Sequence, residues 1–267
     1  MERTHAQPAV VVGIDGSTSA LRAAEWAVDE AVGRDLPLRL VHVIQSTSTD
    51  IHRETADAEA ALLAAHAAVT RTGQPVKIET AIERGPIAAT LAAESADAAL
   101  LCVGATGIGM RAPKLRGAIA AAVAEAAQCP VAIIRTCDDA SWSESDDIAV
   151  VVDNSADVGT VLQVALDEAR LRNATLLILE VTPRRTNETS PADIDRLVTD
   201  WLSRYPDVQT HTLVVPGDLL AFLADRDPPV QLTVMGNAGE DAATRLIGPY
   251  GRFRLRDTQW SALLVHS

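Results

Sequence analysis

The chain reads Val103-Gly104-Ala105-Thr106-Gly107-Ile108-Gly109-Met110 where an apolar run over residues 98–103 gives way to glycines. The apolar run is typical of a buried strand, and the alanine-rich run over residues 118–127 is typical of a helix. Glycines let main-chain N–H groups approach a ligand, and a helix N-terminus adds unpaired N–H groups and partial positive charge. This order predicts a phosphate-binding loop. An ordinary glycine-rich turn is the alternative, because the spacing is neither a Walker P-loop nor G-x-G-x-x-G.

Strands and helices are predicted to alternate through the first half of the chain. The predicted strands span residues 9–14, 38–44, 76–82, 98–103 and 131–135. The first predicted helix begins at a serine cap, Ser17 or Ser19, and ends at residue 33. The other predicted helices span residues 55–72, 85–95 and 118–127. Such alternation predicts an α/β fold with a doubly wound parallel sheet, which binds ligands at the carboxyl ends of its strands. The turns at Asp15, Val43 and 104–107 then face one crevice.

The second half of the chain repeats this pattern after a polar, acidic segment. Residues 138–147 are predicted to be the linker between a domain at 1–137 and a domain at 148–267. The second-half strands are predicted at 148–152, 176–181, 211–215, 230–235 and 261–266, with helices at 156–171, 191–205 and 217–224. We therefore predict two tandem doubly wound domains, each a five-stranded parallel sheet flanked by helices.

Composition narrows the class of protein further. The 267 residues are 48% hydrophobic but only 3% aromatic, so aliphatic side chains must fill the core. The net charge of −13 argues against nucleic-acid binding through a general electrostatic surface. Three cysteines without metal-ligand spacing are predicted to be reduced thiols. Without an apolar leader or a long apolar window, we expect a cytoplasmic chain that does not insert into a membrane.

Several motifs carry a resemblance to a known family. Gly104 and Gly107 are followed by nine residues and then Gly117, and the first strand ends in Val12-Gly13-Ile14-Asp15-Gly16-Ser17. The second strand contains Val41-His42-Val43, and Cys129-Pro130-Val131 enters the fifth. Both halves resemble the universal stress protein domain, in the tandem arrangement found in actinobacteria. The resemblance implies the adenine nucleotide alpha hydrolase-like fold and, in the family's ATP-binding branch, an adenine nucleotide as ligand.

The resemblance assigns the adenosine end of that site to residues at three strand ends. Asp15 matches the acidic residue near the ribose and adenine, and Gly13 lines the same pocket through its backbone. Val43 matches the residue whose backbone meets adenine. Val103 and Gly104 match the pair that ends the fourth strand.

The resemblance assigns the phosphate end to the glycine turn and the helix after it. Gly107 matches the glycine under the phosphates, and Gly117 with Ala118 matches the far phosphate clamp. The family has Ser or Thr where this chain has Ala118. Alanine keeps the backbone N–H donor but lacks the hydroxyl that would bond a phosphate oxygen. Such a hydrogen bond contributes about 0.5–1.5 kcal/mol, so its loss weakens ATP binding roughly tenfold without abolishing it.

The second half departs further from the family pattern. Only eight residues separate Gly239 from Gly248, and Pro249 then removes a backbone donor. We expect this half to be structural or to bind nucleotide weakly. The matching positions of that weak second site are Asp153, Val181, Met235, Gly236 and Gly239.

The preferred hypothesis from the sequence is a non-catalytic, ATP-binding stress-response or signalling module with no metal site of its own. ATP is expected with or without Mg²⁺. An interaction or assembly protein that has lost nucleotide binding is the alternative, and slow ATP hydrolysis is a third reading that no positioned base supports. His42 lies between two valines and is predicted to be structural. The resemblance also implies a homodimer and pairing of strand 131–135 with strand 261–266.

Overall fold

The computed structural model describes residues 8–45, 50–106, 118–135, 147–152, 158–182, 191–216, 219–224, 226, 230–236 and 261–266. The chain divides into two compact units, whose described residues lie within 8–135 and within 147–266. Each unit is a parallel sheet with helices packed against it, which confirms the predicted fold class.

The described residues of the first unit form five strands and four α-helices, with a 3-10 turn at Ser95–Asp97 before the fourth strand. In chain order they are β1 (Ala9–Gly13), α1 (Thr18–Gly33), β2 (Leu38–Ile44), α2 (Ile51–Arg71), β3 (Ile78–Arg84), α3 (Ile87–Glu94), β4 (Ala98–Gly104), α4 (Ala118–Ala126) and β5 (Val131–Ile134). The strand order is β3-β2-β1-β4-β5, and all four pairings are parallel. The order reverses between β1 and β4, which is where doubly wound sheets bind ligands.

The second unit has the same strand order. Its elements are β6 (Asp147–Val152), α5 (Val158–Leu171), β7 (Thr175–Thr182), α6 (Pro191–Leu202), β8 (Thr210–Pro216), α7 (Leu219–Ala224), β9 (Leu232–Gly236) and β10 (Ser261–Val265). The order is β8-β7-β6-β9-β10, again with parallel pairs. The first long helix of each unit is followed by a residue in the left-handed region, Asp35 with φ 53° and Asn173 with φ 51°. The same backbone turn therefore ends the same helix in both units.

Some helix ends differ from the sequence-based expectation. Helix α2 begins at Ile51 rather than at residue 55, because Asp50 caps it by accepting a hydrogen bond from the Arg53 N–H at 3.2 Å. Helix α3 begins at Ile87 rather than at residue 85, with Pro86 as its N-cap residue. In the second unit α6 ends at Leu202 rather than at residue 205.

Candidate functional site

A cavity of about 160 Å³ opens at the carboxyl edge of the first sheet. Its described wall comes from the ends of β1, β2 and β4 and from the first two turns of α1, α3 and α4, so every lining residue belongs to the first unit. The wall is mainly apolar with a few polar groups, which is the usual make-up of a small-molecule site.

The apolar floor of the cavity depends on a glycine at the end of β1. A Cβ at Gly13 would lie 3.1 Å from Cδ1 of Leu91 and 3.4 Å from Cγ1 of Val103. Because Gly13 has no side chain, the backbone of β1 stays open to the cavity between two aliphatic groups. This floor fits the flat face of a ring better than it fits a charged group.

A chain of hydrogen bonds holds the polar end of the cavity. The Asp15 carboxylate accepts from the Ser17 N–H at 2.9 Å. The Ser17 hydroxyl caps α1 by accepting from the Ala20 N–H at 3.1 Å, and it donates to the Thr106 carbonyl at 3.2 Å. The turn after β1 is thereby fixed to the segment after β4.

A second serine fixes the same segment from the other side. The Ser19 hydroxyl donates to the Ile134 carbonyl at 3.3 Å and accepts from the Thr106 N–H at 3.4 Å. Both backbone groups of Thr106 are therefore held, one by the N-cap Ser17 and the other by Ser19 in the first turn of α1.

His42 contributes to the wall of the cavity from β2. Burial lowers the pKa of its imidazole, while a hydrogen bond to the Ile14 carbonyl and the nearby negative charges of Asp15, Asp57 and Glu54 act in the opposite direction. Its Nδ1 is buried and has no hydrogen-bond partner in the part of the chain that the structure describes. The ring is therefore neutral near pH 7 and packs as part of the wall.

The structure brings together most of the residues predicted for the first site. The predicted residues that line the cavity are Gly13, Asp15, Val43, Val103 and Gly104.

The phosphate end of the predicted site is only partly described. Ala118 is the exposed first residue of α4, directly before Ile119, which lines the cavity. Gly107 and Gly117 lie outside the described residues.

The weak second site predicted for the other half is described only in part. Val181 lies near the carboxyl end of β7, and Met235 and Gly236 end β9. These strand ends correspond to those that carry the first site. Asp153 and Gly239 lie outside the described residues.

Sequence reasoning missed the contribution of α3 and of the α1 cap. Ile87 and Leu91 line the cavity from α3, and Ser17 and Thr106 line its polar end. The spacing of four residues between Ile87 and Leu91 places them on one helical face, which is a detectable signal. That this face meets the end of β1 depends on the packing of the helix on the sheet, which no local pattern shows.

This arrangement defines a class: an α/β protein with a cavity at the switch point of a doubly wound sheet, where such folds take their ligands. Among the described residues, no cluster of three or more His, Cys, Asp or Glu side chains is placed to hold a metal ion. The same part of the chain contains no helix with the length and apolar character to cross a membrane.

Comparison with known proteins names the family. The Universal stress protein family model matches residues 8–135. The Mycobacterium tuberculosis universal stress protein Rv2624c is 41% identical over 96% of this chain and 95% of its own length. A second one from that organism, Rv3134c, is 39% identical over 91% of this chain and 92% of its own length. The chain belongs to the universal stress protein family.

A solved structure supports the fold assignment over nearly the whole chain. The crystal structure of a universal stress protein from Archaeoglobus fulgidus DSM 4304 aligns with a TM-score of 0.75 and covers 98% of this chain and 97% of that one. The sequence identity of 19% limits this likeness to the fold.

Proposed function

We propose that this chain is a non-catalytic stress-response or signalling module that binds ATP, mainly in the first unit. One observation carries the proposal: residues from three separate segments, which the resemblance assigns to the adenosine end of a nucleotide site, line a single cavity. The cavity lies at the edge of the sheet where this fold class takes its ligands.

The chemistry of the cavity suggests how the nucleotide lies. The adenine ring packs over the apolar floor at Gly13, Leu91 and Val103, and the ribose lies towards Asp15. The phosphates then extend to the N-terminus of α4, which begins at Ala118 and offers unpaired N–H groups and partial positive charge. Local donors of this kind are needed because the chain as a whole carries a net charge of −13.

The non-catalytic part of the proposal rests on the titratable groups at the cavity. The titratable residues in the described wall of the cavity are Asp15 and His42. The Asp15 carboxylate accepts a backbone N–H, and the His42 ring bonds a backbone carbonyl. The Asp15 carboxylate is engaged in the turn after β1, and the unpartnered Nδ1 of His42 is buried in the wall, so we infer that neither serves as a general base for a water molecule at the phosphate end. Mg²⁺, if it accompanies ATP, would be carried by the phosphates.

Calorimetry with matched glycine variants tests the proposal. Gly107→Glu puts a negative, bulky side chain where the resemblance places the phosphates, and Gly239→Glu makes the same change at the corresponding turn of the second half. We expect measurable ATP binding by the wild-type chain, its loss in Gly107→Glu and its retention in Gly239→Glu. A folded wild-type chain that binds no ATP at millimolar concentration would remove the proposal.

A second candidate function is an interaction or assembly protein of the same fold without a nucleotide. Ala118 favours it, because the side chain at the start of α4 offers no hydroxyl to a phosphate. Under this alternative Gly107→Glu leaves the phenotype of a complemented deletion strain unchanged. Under the proposed function the same variant behaves like the deletion.

A further inference from the structure

The first sheet ends at β3, which pairs on one side with β2. The Lys77 carbonyl accepts from the Leu38 N–H at 2.8 Å, and the Gly85 N–H donates to the Ile44 carbonyl at 3.0 Å. Odd-numbered residues of β3 therefore direct their backbone groups to β2.

The other half of the β3 backbone faces away from β2. Backbone direction alternates along a strand, so the even-numbered residues direct N–H and C=O groups to the open edge. These residues are Ile78, Thr80, Ile82 and Arg84. In the described part of the chain no strand pairs with this edge, so it can accept another strand.

An apolar groove lies beside this edge, between α2 and β3. It has a volume of about 510 Å³, and its lining combines apolar Leu62, Leu63 and Ile82 with polar Glu59, His66 and Thr80. Leu63 is 71% exposed. The Arg84 side chain bonds the Thr55 hydroxyl of α2 at 3.4 Å, so the even-numbered side chains of β3 lie on the α2 face of the sheet. A strand added to the edge would cover this groove.

We propose that the partner of this edge is a second copy of the same chain, whose β3 pairs antiparallel with it about a two-fold axis at Thr80. In this register Ile78 of one copy lies opposite Ile82 of the other, on the face that carries the exposed leucine. On the opposite face Lys77, which pairs with Glu79 in its own chain, lies across from Glu83 of the second copy, which pairs with Arg39 in its own chain. Each contact occurs twice, because the interface is symmetric.

The charged side chains of β3 favour the register with its axis at Thr80 over the adjacent register. Antiparallel pairing through the same open-edge groups also permits a two-fold axis at Ala81. That register places Glu79 of each copy directly opposite Glu83 of the other, and like charges in that position are destabilising. With the axis at Thr80, opposite charges meet instead, so charge favours this register over the one with its axis at Ala81.

The corresponding edge of the second unit lacks this complementarity. The Gln209 carbonyl accepts from the Leu176 N–H at 2.8 Å, so even-numbered residues of β8 face its open edge. One of these is Pro216, which has no N–H to donate. A proline at the edge blocks strand addition, whereas β3 carries a full set of donors at its open edge.

Disulfide trapping tests the register. Opposed residues in a hydrogen-bonded antiparallel pair have Cα atoms about 5.5 Å apart, within reach of a disulfide. Cys102 and Cys129 are buried, so Cys137→Ser removes the remaining native thiol of the chain. In that background, treated with oxidised glutathione, we expect Thr80→Cys to form a cross-linked dimer. We expect no cross-link from Thr212→Cys on β8, and little from Ala81→Cys. A cross-link from Ala81→Cys and none from Thr80→Cys would overturn the proposed register.

Variants that exchange charged residues of β3 test whether the partner is a second copy of the chain. Glu83→Lys brings two lysines together at both ends of the interface, and we expect the dimer dissociation constant from sedimentation equilibrium to rise about tenfold. The double variant Lys77→Glu/Glu83→Lys restores opposite charges, and we expect it to recover most of that loss. Circular dichroism checks that each variant is folded. A wild-type chain that stays monomeric at tens of micromolar, or a dimer unaffected by Glu83→Lys, contradicts the proposal.

A proline variant separates strand pairing from side-chain effects. Thr80→Pro removes one donor at the open edge and leaves the bonds to β2, which come from odd-numbered residues. We expect it to dissociate the dimer, while Thr212→Pro on β8 does not. If β3 instead accepts a peptide from a different protein, the wild-type chain is monomeric on its own and the proposed self-pairing is wrong.

Discussion

A Cβ atom at Gly104 would lie 2.7 Å from the hydroxyl oxygen of Ser19 and 2.8 Å from its carbonyl carbon. The end of β4 therefore touches the first turn of α1 with no space for a side chain. The glycine that opens the predicted phosphate-binding loop is required by this packing, independently of any ligand. The same contact places the polar end of the cavity beside the α1 N-terminus.

Replacing this glycine tests the packing argument. We expect Gly104→Ala to destabilise the first unit by about 1–3 kcal/mol, because the added methyl meets the backbone of α1, which cannot rotate away. Gly13→Ala is the matched control, since its Cβ meets the flexible end of Leu91 at 3.1 Å. Hydrogen exchange in the first unit measures both. An equal loss in the two variants would show that the α1 contact is not what requires glycine.

The residue at the start of α4 sets the affinity for phosphates under the proposed function. We expect Ala118→Ser to bind ATP up to about tenfold more tightly, because it restores a hydroxyl where the family has Ser or Thr. Adenosine has no phosphates, so its affinity should not change. Calorimetry with both ligands makes the comparison. A parallel gain for adenosine would place the effect on the fold of α4 and not on a phosphate contact.

Each unit buries a glutamate near the end of its first long helix. Glu30 pairs with Arg34 at 3.0 Å and Glu168 pairs with Arg172 at 3.3 Å, and both glutamate side chains are 0% exposed. The arginines differ, because the Arg34 side chain is 36% exposed and the Arg172 side chain is 9% exposed.

That difference predicts unequal costs for the same substitution. Glu168→Ala removes a carboxylate partner from an arginine side chain that is only 9% exposed, so we expect a cost on the order of 3 kcal/mol. Glu30→Ala leaves an arginine that water can reach, so the cost should be smaller. Hydrogen exchange measures the stability of each unit separately. A single unfolding curve of a two-unit chain does not separate the two stabilities. A larger loss from Glu30→Ala would contradict this ranking.

A buried hydroxyl in the second sheet offers a stabilising change. Thr233 of β9 is 0% exposed, and its Oγ1 has no hydrogen-bond partner among the residues that the structure describes. Thr233→Val keeps the shape and removes the unpaired polar atom, so we expect a gain of about 1 kcal/mol in the second unit. The exposed Thr212→Val on β8 is the control and should change little. A loss of stability in Thr233→Val would reveal a partner for the hydroxyl.

His42 predicts a pH dependence of stability. Burial lowers the pKa of the folded state below the ordinary value of 6.5, so the unfolded chain takes up the proton first as pH falls. The stability contributed by neutral His42 is therefore present above that value and is lost as pH falls through the range below it. We expect the free energy of unfolding to fall less between about pH 7.5 and pH 5.5 in His42→Gln than in the wild-type chain. Identical slopes would mean that the ring titrates as it does in solvent.

The sequence determined the architecture and much of the candidate site. Alternating apolar runs and helical segments predicted the doubly wound sheet, because each run reports the local burial of one element. The turns after β1, β2 and β4 were expected to meet because parallel strands end at a common edge. Gly13, Asp15 and Val43 were assigned from the family resemblance and do lie together at that edge.

Only the tertiary structure decided the contacts between elements far apart in the chain. That Leu91 meets Gly13, and that Ser19 excludes a side chain at Gly104, depends on how each helix packs on the sheet. The open-edge groups of β3 likewise follow from its hydrogen-bond register with β2. Local sequence sets which residues are buried and which segments are helical, but contacts across many tens of residues depend on register and packing geometry, which no local pattern contains.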